Sequence, residues 1–214
     1  RPNKFKMLEF NFNPEVLTKV KDSPIYFVDN FYKKPNEVLN LLNNKTKIIH
    51  KLDDLPSYNM VYFQDQRHCF YQAELEPIIE NIEKLINKKY LRTADGDNFF
   101  TNCQMWYDHK FNDYKNNYWW PHLDLGWTAL IYLNHDDSSG TNLYEYSYDH
   151  ESQINTNEHY KPWRSKNLWN KIYTIPSKFN RLVLFKADDI FHGAEVNNKY
   201  TETFRINQAL FFNK

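Results

Sequence analysis

The chain has 214 residues but only 4 glycines and 2 cysteines. Neither GxGxxG nor GxxxxGK[ST] occurs, which excludes the glycine-rich loops that hold nucleotide phosphates. Cys69 and Cys103 are too few for a disulfide scaffold and do not form a zinc ribbon. They indicate reduced thiols, so we expect a cytoplasmic protein. No run of 18 apolar residues occurs, which excludes a transmembrane helix of the usual kind.

An excess of charge of either sign is also absent, since 27 basic residues balance 27 acidic ones. Nucleic-acid-binding domains usually carry a clear basic excess, so this balance argues against nucleic acid as the partner. A local basic group does occur in a polar stretch: Lys161, Arg164, Lys166 and Lys171. With 41% hydrophobic and 18% aromatic residues, the composition is that of a globular protein whose length fits one structural domain.

Apolar residues at helical spacing occur only in the N-terminal half of the chain. A strand over Pro24–Asn30 is followed by a helix that begins at Pro35, and a second helix is predicted within Ala73–Lys89. Residues 1–20 and 43–72 show no clear periodicity. We predict no element there and expect the first twenty residues to be peripheral.

Short strands dominate from residue 98 onward. They are predicted at Phe99–Tyr107, Trp127–Leu133, Asn142–Tyr146, Lys171–Ile175, Arg181–Lys186 and Thr203–Phe212. Strands that follow helices predict a mainly β fold, a sandwich or barrel supported by N-terminal helices. We expect residues 1–97 to pack on a core of residues 98–214, together forming one structural domain.

The polar stretch Ser147–Asn170 is predicted as a long loop. Loops of this length inside a compact domain tend to be functional or disordered. Trp163 and Arg164 in this loop are candidates for substrate contact, because a solvated loop that carries tryptophans needs something to cover them. The alternative is that the domain itself covers them.

His122 and Asp124 form an H-x-D pair just before a predicted strand, and His192 comes seventy residues after His122, just after another predicted strand. On an extended segment, residues i and i+2 point to the same side, so His122 and Asp124 can reach one metal ion. Two imidazoles and one carboxylate leave three octahedral positions open, which is the ligand set of non-haem Fe(II) oxygenases. An H-x-D pair alone often arises by chance. The remaining histidines lack such support and are interpreted as surface or core residues: His50, His68, His109, His135, His150 and His159.

Arg205 and Asn207 follow His192 on the last predicted strand. Alternation places both side chains on one face of that strand. A buried arginine that faces a metal pocket needs an anion, and a carboxylate suits the two-pronged guanidinium group. The alternative is a structural salt bridge.

The segments that carry these residues resemble the two halves of the double-stranded β-helix, a jelly-roll or cupin-like core, of the 2-oxoglutarate- and Fe(II)-dependent oxygenases. The similarity is greatest to prolyl-4-hydroxylase-like members of the small bacterial and phage type, and it covers roughly residues 98–212. The segments are Trp120–Asp124, Thr128–Asn134, Gly140–Tyr144, Asn180–Phe185, Phe191–Val196 and Phe204–Arg205.

This resemblance implies a ligand set and an activity. Iron would fall on His122, Asp124 and His192, and the 5-carboxylate of 2-oxoglutarate on Arg205, with Asn207 nearby. A tyrosine on an early strand often assists, and Tyr107 is the candidate. The implied activity is a dioxygenase that uses O2 to hydroxylate a C–H bond while 2-oxoglutarate is decarboxylated to succinate. The implied substrate is a small molecule or a peptide, with a peptidyl or free amino acid favoured.

Trp119 and Trp120 precede His122 and are candidates for a substrate wall, although aromatic strand residues mostly fill the barrel. Two other functions remain open at this point. One is oxidative demethylation of nucleic acid by the same fold, against which the charge balance argues. The other is a non-catalytic, metal-containing jelly-roll binding module. Production of succinate distinguishes this module from the enzymes.

Overall fold

A computed structural model describes residues 8–43, 47–51, 59–63, 72–90, 99–106, 115–135, 137, 139–147, 163–197, 199 and 205–213. The helices in these residues are α1 (Pro35–Asn43) and α2 (Gln72–Ile86). The strands are β1 (Glu15–Val20), β2 (Ser23–Val28), β3 (Lys47–Lys51), β4 (Asn59–Phe63), β5 (Phe99–Trp106), β6 (Asn117–Trp119), β7 (Trp127–Tyr132), β8 (Thr141–Tyr146), β9 (Trp163–Ser165), β10 (Trp169–Ile175), β11 (Leu182–Lys186), β12 (Phe191–Ala194) and β13 (Arg205–Phe212). In this part of the chain, neither helix has the length and hydrophobicity needed to cross a membrane.

The strands form three antiparallel sheets. The largest has eight strands in the order β1-β2-β11-β7-β13-β5-β4-β3. A three-stranded sheet has the order β10-β8-β12, and β6 pairs with β9 in a separate ribbon. The predicted mainly β architecture, with helices only in the N-terminal half of the described residues, is confirmed.

The eight-stranded sheet separates two apolar cores. On one face, Ile78, Ile79 and Ile82 of α2 are fully buried against the sheet. Their spacing places them on one stripe of the helix, as the sequence predicted. On the other face, side chains of the eight-stranded sheet such as Val183 pack against Leu143 of the three-stranded sheet. We call this second space the barrel interior, since it lies between the two facing sheets.

Strand alternation assigns each residue of the central strands to one of these spaces. Ala129 and Ile131 of β7 pack into the core beside the helices, while Tyr132 packs into the barrel interior. On β13, Leu210 and Phe212 likewise pack beside the helices. The odd-numbered residues of β13 therefore face the barrel interior.

Several strands lie where the sequence predicted none. β1 belongs to the peripheral first twenty residues, and β3 and β4 lie within the stretch 43–72. β1 and β3 are the two edges of the large sheet. An edge strand has one neighbour and buries less of its surface, which weakens the apolar alternation that reveals a strand. On β1, for example, Val16 is 52% exposed.

The predicted loop Ser147–Asn170 is also shorter than expected. The stretch contains β9, and β10 already begins at Trp169. The Trp169 side chain is buried and not exposed to solvent. Residues 148–162 lie outside the described residues, so the substrate role of that part of the loop stays a prediction. His192, expected just after a strand, lies within β12.

Candidate metal centre

The backbone brings His122 and His192 together. The two residues form an isolated antiparallel bridge in which each N–H donates to the other's carbonyl, at 3.0 and 2.9 Å. Gly193 allows this approach, because a Cβ there would lie 2.4 Å from the carbonyl oxygen of Trp119. The segment that follows β6 can thus lie directly against β12, and the two histidines share one edge of the barrel interior.

The side chains of His122, Asp124 and His192 then converge. The Nε2 of His192 lies 3.2 Å from Oδ2 of Asp124, and the Nε2 of His122 lies 3.8 Å from Oδ1. One ligand atom from each residue lies within 4.8 Å of the others. Among the described residues, this is the one group of three or more His, Cys, Asp or Glu side chains with that geometry.

Hydrogen bonds to backbone carbonyls orient both imidazole rings. The Nδ1 of His122 lies 2.7 Å from the carbonyl oxygen of Trp120, and the Nδ1 of His192 lies 3.2 Å from that of Ile190. A carbonyl oxygen can only accept, so these contacts are made when Nδ1 carries the proton. The Nε2 lone pair of each ring is then directed at Asp124, which is the arrangement that metal-binding histidines adopt.

Asp124 is held by its neighbours as a carboxylate. Its backbone N–H donates to the carbonyl of Ala187 at 3.0 Å, and the Thr128 hydroxyl donates to Oδ2 at 2.9 Å. Burial is the largest single influence and raises the pKa of the Asp124 carboxyl. When the two imidazole rings are protonated and no metal is bound, the hydrogen bond that His192 Nε2 donates, the positive charges of both rings and the Thr128 hydroxyl together outweigh burial and hold the pKa of Asp124 well below its usual range.

The donor set fits a divalent transition metal. Two imidazole nitrogens and one ionised carboxylate converge, and with Nδ1 protonated in both rings their lone pairs face a common point that a divalent cation would satisfy. This is the two-histidine, one-carboxylate set that non-haem Fe(II) oxygenases use. Thr128 was not identified as a site residue from the sequence. Its position four residues after Asp124, at the start of a strand, gave no signal of its own.

Arg205 lies in the barrel interior and is 5% exposed. Its Nη1 donates to Oδ1 of Asn207 at 2.9 Å, so the two side chains share a face, as alternation predicted. Its Nε and Nη2 lie 3.4 and 3.2 Å from the carbonyl oxygens of Ser139 and Gly140. The guanidinium carbon also lies 5.8 Å from the centre of the Tyr132 ring. These contacts hold the guanidinium group in one orientation.

Two hydroxyl groups missed by the sequence analysis lie beside Arg205. The hydroxyls of Tyr132 and Thr141 are hydrogen-bonded to each other at 2.8 Å, and both residues are buried. Burial raises the pKa of Tyr132, so the phenol stays protonated and able to donate. Both residues belong to strands whose alternation could have placed them on the interior face with Arg205.

The pairing of β8 with β12 determines how far Thr141, which lies beside Arg205, is from the metal centre. On β8 and β12, His192 pairs with Leu143 and Ala194 pairs with Thr141. Thr141 is therefore displaced by two residues from His192 along the sheet, which corresponds to about 6–7 Å. A short dicarboxylate can span such a distance.

The remaining predicted residues are placed as follows. Trp119 is buried at 6% exposure in β6. Trp120 is half-buried, and its ring stacks on that of His122 with centroids 4.4 Å apart. In the β6–β9 ribbon, the backbone of Trp163 pairs with Trp119, and that of Arg164 pairs with Tyr118. Tyr107 lies outside the described residues, so its role stays a prediction.

Comparison of the sequence with protein families and with curated proteins finds no match. Among solved structures, the chain is similar to SnoN, a non-haem α-ketoglutarate-dependent epimerase from nogalamycin biosynthesis, with 13% identity and a TM-score of 0.51. That alignment covers 88% of this chain and 78% of SnoN. SnoN has also been solved with Fe3+, α-ketoglutarate and nogalamycin RO.

Two prolyl hydroxylases are also similar. One is a prolyl 4-hydroxylase from Phytophthora capsici, with 14% identity and a TM-score of 0.47; 88% of this chain aligns, and it spans 58% of that chain. The other, from Trichoplax adhaerens, was solved with a peptide of the hypoxia-inducible factor and has 18% identity, a TM-score of 0.46 and coverage of 88% and 83%. At such identities the comparisons establish the fold alone. The chain has the double-stranded β-helix fold of the 2-oxoglutarate-dependent oxygenases, as the sequence predicted.

Proposed function

We propose that this chain is an Fe(II)- and 2-oxoglutarate-dependent dioxygenase that hydroxylates a C–H bond. The observation that carries the proposal is the convergence of His122, Asp124 and His192 at one edge of the barrel interior that also buries Arg205. When bound, iron and 2-oxoglutarate supply the oxidising chemistry, in which O2 converts 2-oxoglutarate to succinate and carbon dioxide and the substrate to an alcohol.

The chain's own residues bind and orient the reactants. His122, Asp124 and His192 would hold the iron through three side-chain atoms, which leaves positions for a chelating cosubstrate and for O2. Thr128 keeps the carboxylate of Asp124 in place by donating a hydrogen bond. Burial of His192 limits the access of water to one side of the centre.

Arg205 would bind the distal carboxylate of 2-oxoglutarate. A guanidinium group binds a carboxylate through two parallel hydrogen bonds, and Asn207 fixes one nitrogen of that group from the side. The hydroxyl pair of Tyr132 and Thr141 would donate a further hydrogen bond to the same carboxylate. Tyr107 remains our candidate for an additional contact, and residues 98–214 are the proposed catalytic core, supported by residues 1–97.

The substrate class that we favour is a peptidyl or free amino acid, which follows from the prolyl-hydroxylase-like sequence segments. Trp120 would form part of the substrate wall, and the stacking of its ring on that of His122 supports this role. Trp119, Trp163 and Arg164 of the neighbouring ribbon are further candidates. We do not expect a membrane or a nucleic acid to be the partner, given the balanced charge of the sequence.

The test is formation of succinate by the purified chain. We expect the wild-type protein, supplied with Fe(II), 2-oxoglutarate and O2, to form succinate, and we expect Asp124→Ala to form none above a protein-free control. Addition of amino acids and peptides should then identify the substrate by an increased rate and a mass gain of one oxygen. Metal binding with no succinate from the wild-type protein under any of these conditions would refute the enzyme and support the binding module.

A further inference from the structure

The two histidines of the metal centre are fixed in different ways. The His192 side chain is 6% exposed and is enclosed by the protein, with the Phe185 ring packed edge-on at 5.0 Å. The His122 side chain is 24% exposed. Burial therefore restrains the His192 ring more than the His122 ring, so the orientation of His122 depends more on specific contacts.

Trp120 supplies two of those contacts to the same imidazole. Its carbonyl oxygen lies 2.7 Å from Nδ1 of His122, and its indole ring stacks on the imidazole with an interplanar angle of 21°. A hydrogen bond at Nδ1 fixes one direction in the ring but leaves the ring free to turn about that bond. Stacking fixes the ring plane. The two contacts together determine where Nε2 points.

The backbone of Trp120 is in the left-handed region, with φ of +42°. Large L-residues avoid this region because Cβ approaches the following carbonyl. Among the described residues, the other non-glycine residues with positive φ are polar and mostly Asn or Asp: Lys21, Asp22, Asn30, Asn87 and Asn180. A bulky residue held in such a conformation indicates a local requirement.

The turn at Trp120 lies directly against Gly193 of β12. A Cβ at Gly193 would lie 3.0 Å from the Trp120 carbonyl oxygen as well as 2.4 Å from that of Trp119. Both carbonyls are thus pressed against β12 beside His192. The turn that strains Trp120 is the same turn that directs its carbonyl to His122.

From this geometry we infer that Trp120 is a positioning residue for the metal centre: its indole ring and its strained backbone together hold His122 in the ligand orientation. This inference rests on the metal site of the proposed function. It assigns to Trp120 a role that does not require contact with the substrate.

The test uses metal binding and not turnover. Mn(II) affinity would be measured by the electron paramagnetic resonance signal of free Mn(II), and ligand geometry by the visible absorption of the Co(II)-loaded protein. Trp120→Gly removes the ring and tolerates positive φ. Trp120→Phe retains a ring that can stack. Trp127→Ala is the matched control, because Trp127 is a half-buried tryptophan that packs on the helix-side core.

We expect Trp120→Gly to weaken Mn(II) binding by about 10- to 100-fold, the range found when a residue that orients a metal ligand is lost. Its Co(II) spectrum should differ from that of the wild type. Trp120→Phe should restore most of the affinity and the wild-type spectrum. Trp127→Ala should lower the melting temperature without changing either metal readout.

Wild-type affinity together with an unchanged Co(II) spectrum in Trp120→Gly would overturn the inference. If Trp120→Gly does not fold, Trp120→Leu replaces it in the test, because leucine fills the space without an aromatic ring that can stack. Wild-type metal binding by Trp120→Leu would also overturn the inference. Failure of the proposed function gives different results. Absence of the metal site would appear as a wild-type chain that binds no Mn(II), and absence of the enzyme would appear as metal binding without succinate, with the effects of the Trp120 variants on metal binding unchanged.

Discussion

The two faces of the central sheet carry different kinds of residue on the same strands. Leu210 and Phe212 of β13 face the helices and are fully buried among apolar side chains. Arg205 and Asn207 of the same strand face the barrel interior and bond to each other. Because alternation separates these faces, one face can be altered with little effect on the other. The helix side of the sheet thus contributes an apolar core, while the barrel interior combines a second apolar core with the candidate site.

The largest effect should come from loss of a metal ligand on the interior face. We expect Asp124→Ala to abolish Mn(II) binding, because the three converging side chains lose their carboxylate donor and the negative charge that balances the cation. The far-ultraviolet circular dichroism and the melting temperature should stay close to those of the wild type. His192→Ala should behave alike. If His122→Ala/Asp124→Ala binds metal as tightly as the parent protein, the site is assigned to the wrong residues.

On the helix-side face, Leu210→Ala should do the opposite. Leu210 is fully buried in the core beneath α2, and loss of such a side chain costs about 2–5 kcal/mol of unfolding free energy. Urea unfolding measures this change. Mn(II) affinity of the folded protein should not change. A parallel loss of metal affinity would mean that the two faces are coupled, contrary to our view of the sheet.

Arg205→Ala should affect the cosubstrate and spare the metal. We expect the apparent constant for 2-oxoglutarate in succinate formation to rise by about 100-fold, if a charge-assisted pair contributes about 3 kcal/mol. Arg205→Lys should be intermediate, since a point charge replaces a two-pronged group. Arg181, which immediately precedes β11, offers a control for loss of an arginine, because its guanidinium group pairs with Asp29 at 2.6 Å. If the apparent constant for 2-oxoglutarate rises in Arg181→Ala and not in Arg205→Ala, the cosubstrate carboxylate is assigned to the wrong arginine.

A smaller effect is expected for Thr128→Val, which removes the hydroxyl that bonds to Asp124 and keeps the shape of the side chain. Mn(II) binding should weaken by about 10-fold, because a neighbour that orients a ligand is lost. Thr174→Val is the control, since Thr174 donates to Asn142 on β8 and not to the metal centre. Equal metal affinity in the two variants would remove Thr128 from the site.

The smallest expected effect is on the free energy of unfolding, and it concerns the ion pair of Arg181 and Asp29, which belongs to neither apolar core. The pKa of Asp29 is lowered mainly by a hydrogen bond from Arg181 and further by Lys178. Burial acts in the opposite direction but is outweighed. A carboxyl whose pKa is lowered by folding stabilises the fold above its unfolded pKa, about 3.9, and less as the pH falls through the folded value. Asp29→Asn should therefore unfold more readily than the wild type at pH 7. The difference between the two proteins should shrink below pH 4, and a difference that does not depend on pH would contradict the assignment.

The parts that the sequence could predict are those with local signals. The H-x-D pair and the distant histidine predicted the three side chains that converge in the structure, and alternation predicted that Arg205 and Asn207 share a face. Helical spacing likewise located α2 to within a few residues. These signals depend only on residue type and on the period of the element.

Other parts depend on pairing between distant segments. β6, β9 and β12 are three or four residues long, too short for a period to emerge, and they are strands because of their neighbours. The contact of Thr128 with Asp124 and that of Tyr132 with Thr141 depend on how the strands pair, which residue type alone does not reveal. The positive φ of Trp120 was hidden as well, since tryptophan is not a residue that indicates a left-handed turn.

The proposal that one interior holds both iron and 2-oxoglutarate has a direct test. 2-Oxoglutarate would be titrated into the Fe(II)-loaded chain without oxygen, and the charge-transfer absorbance of the chelate would be followed. We expect a visible band that saturates at one 2-oxoglutarate per chain in the wild type and is absent in Asp124→Ala. Iron bound at one per chain with no band at saturating 2-oxoglutarate would contradict the proposal.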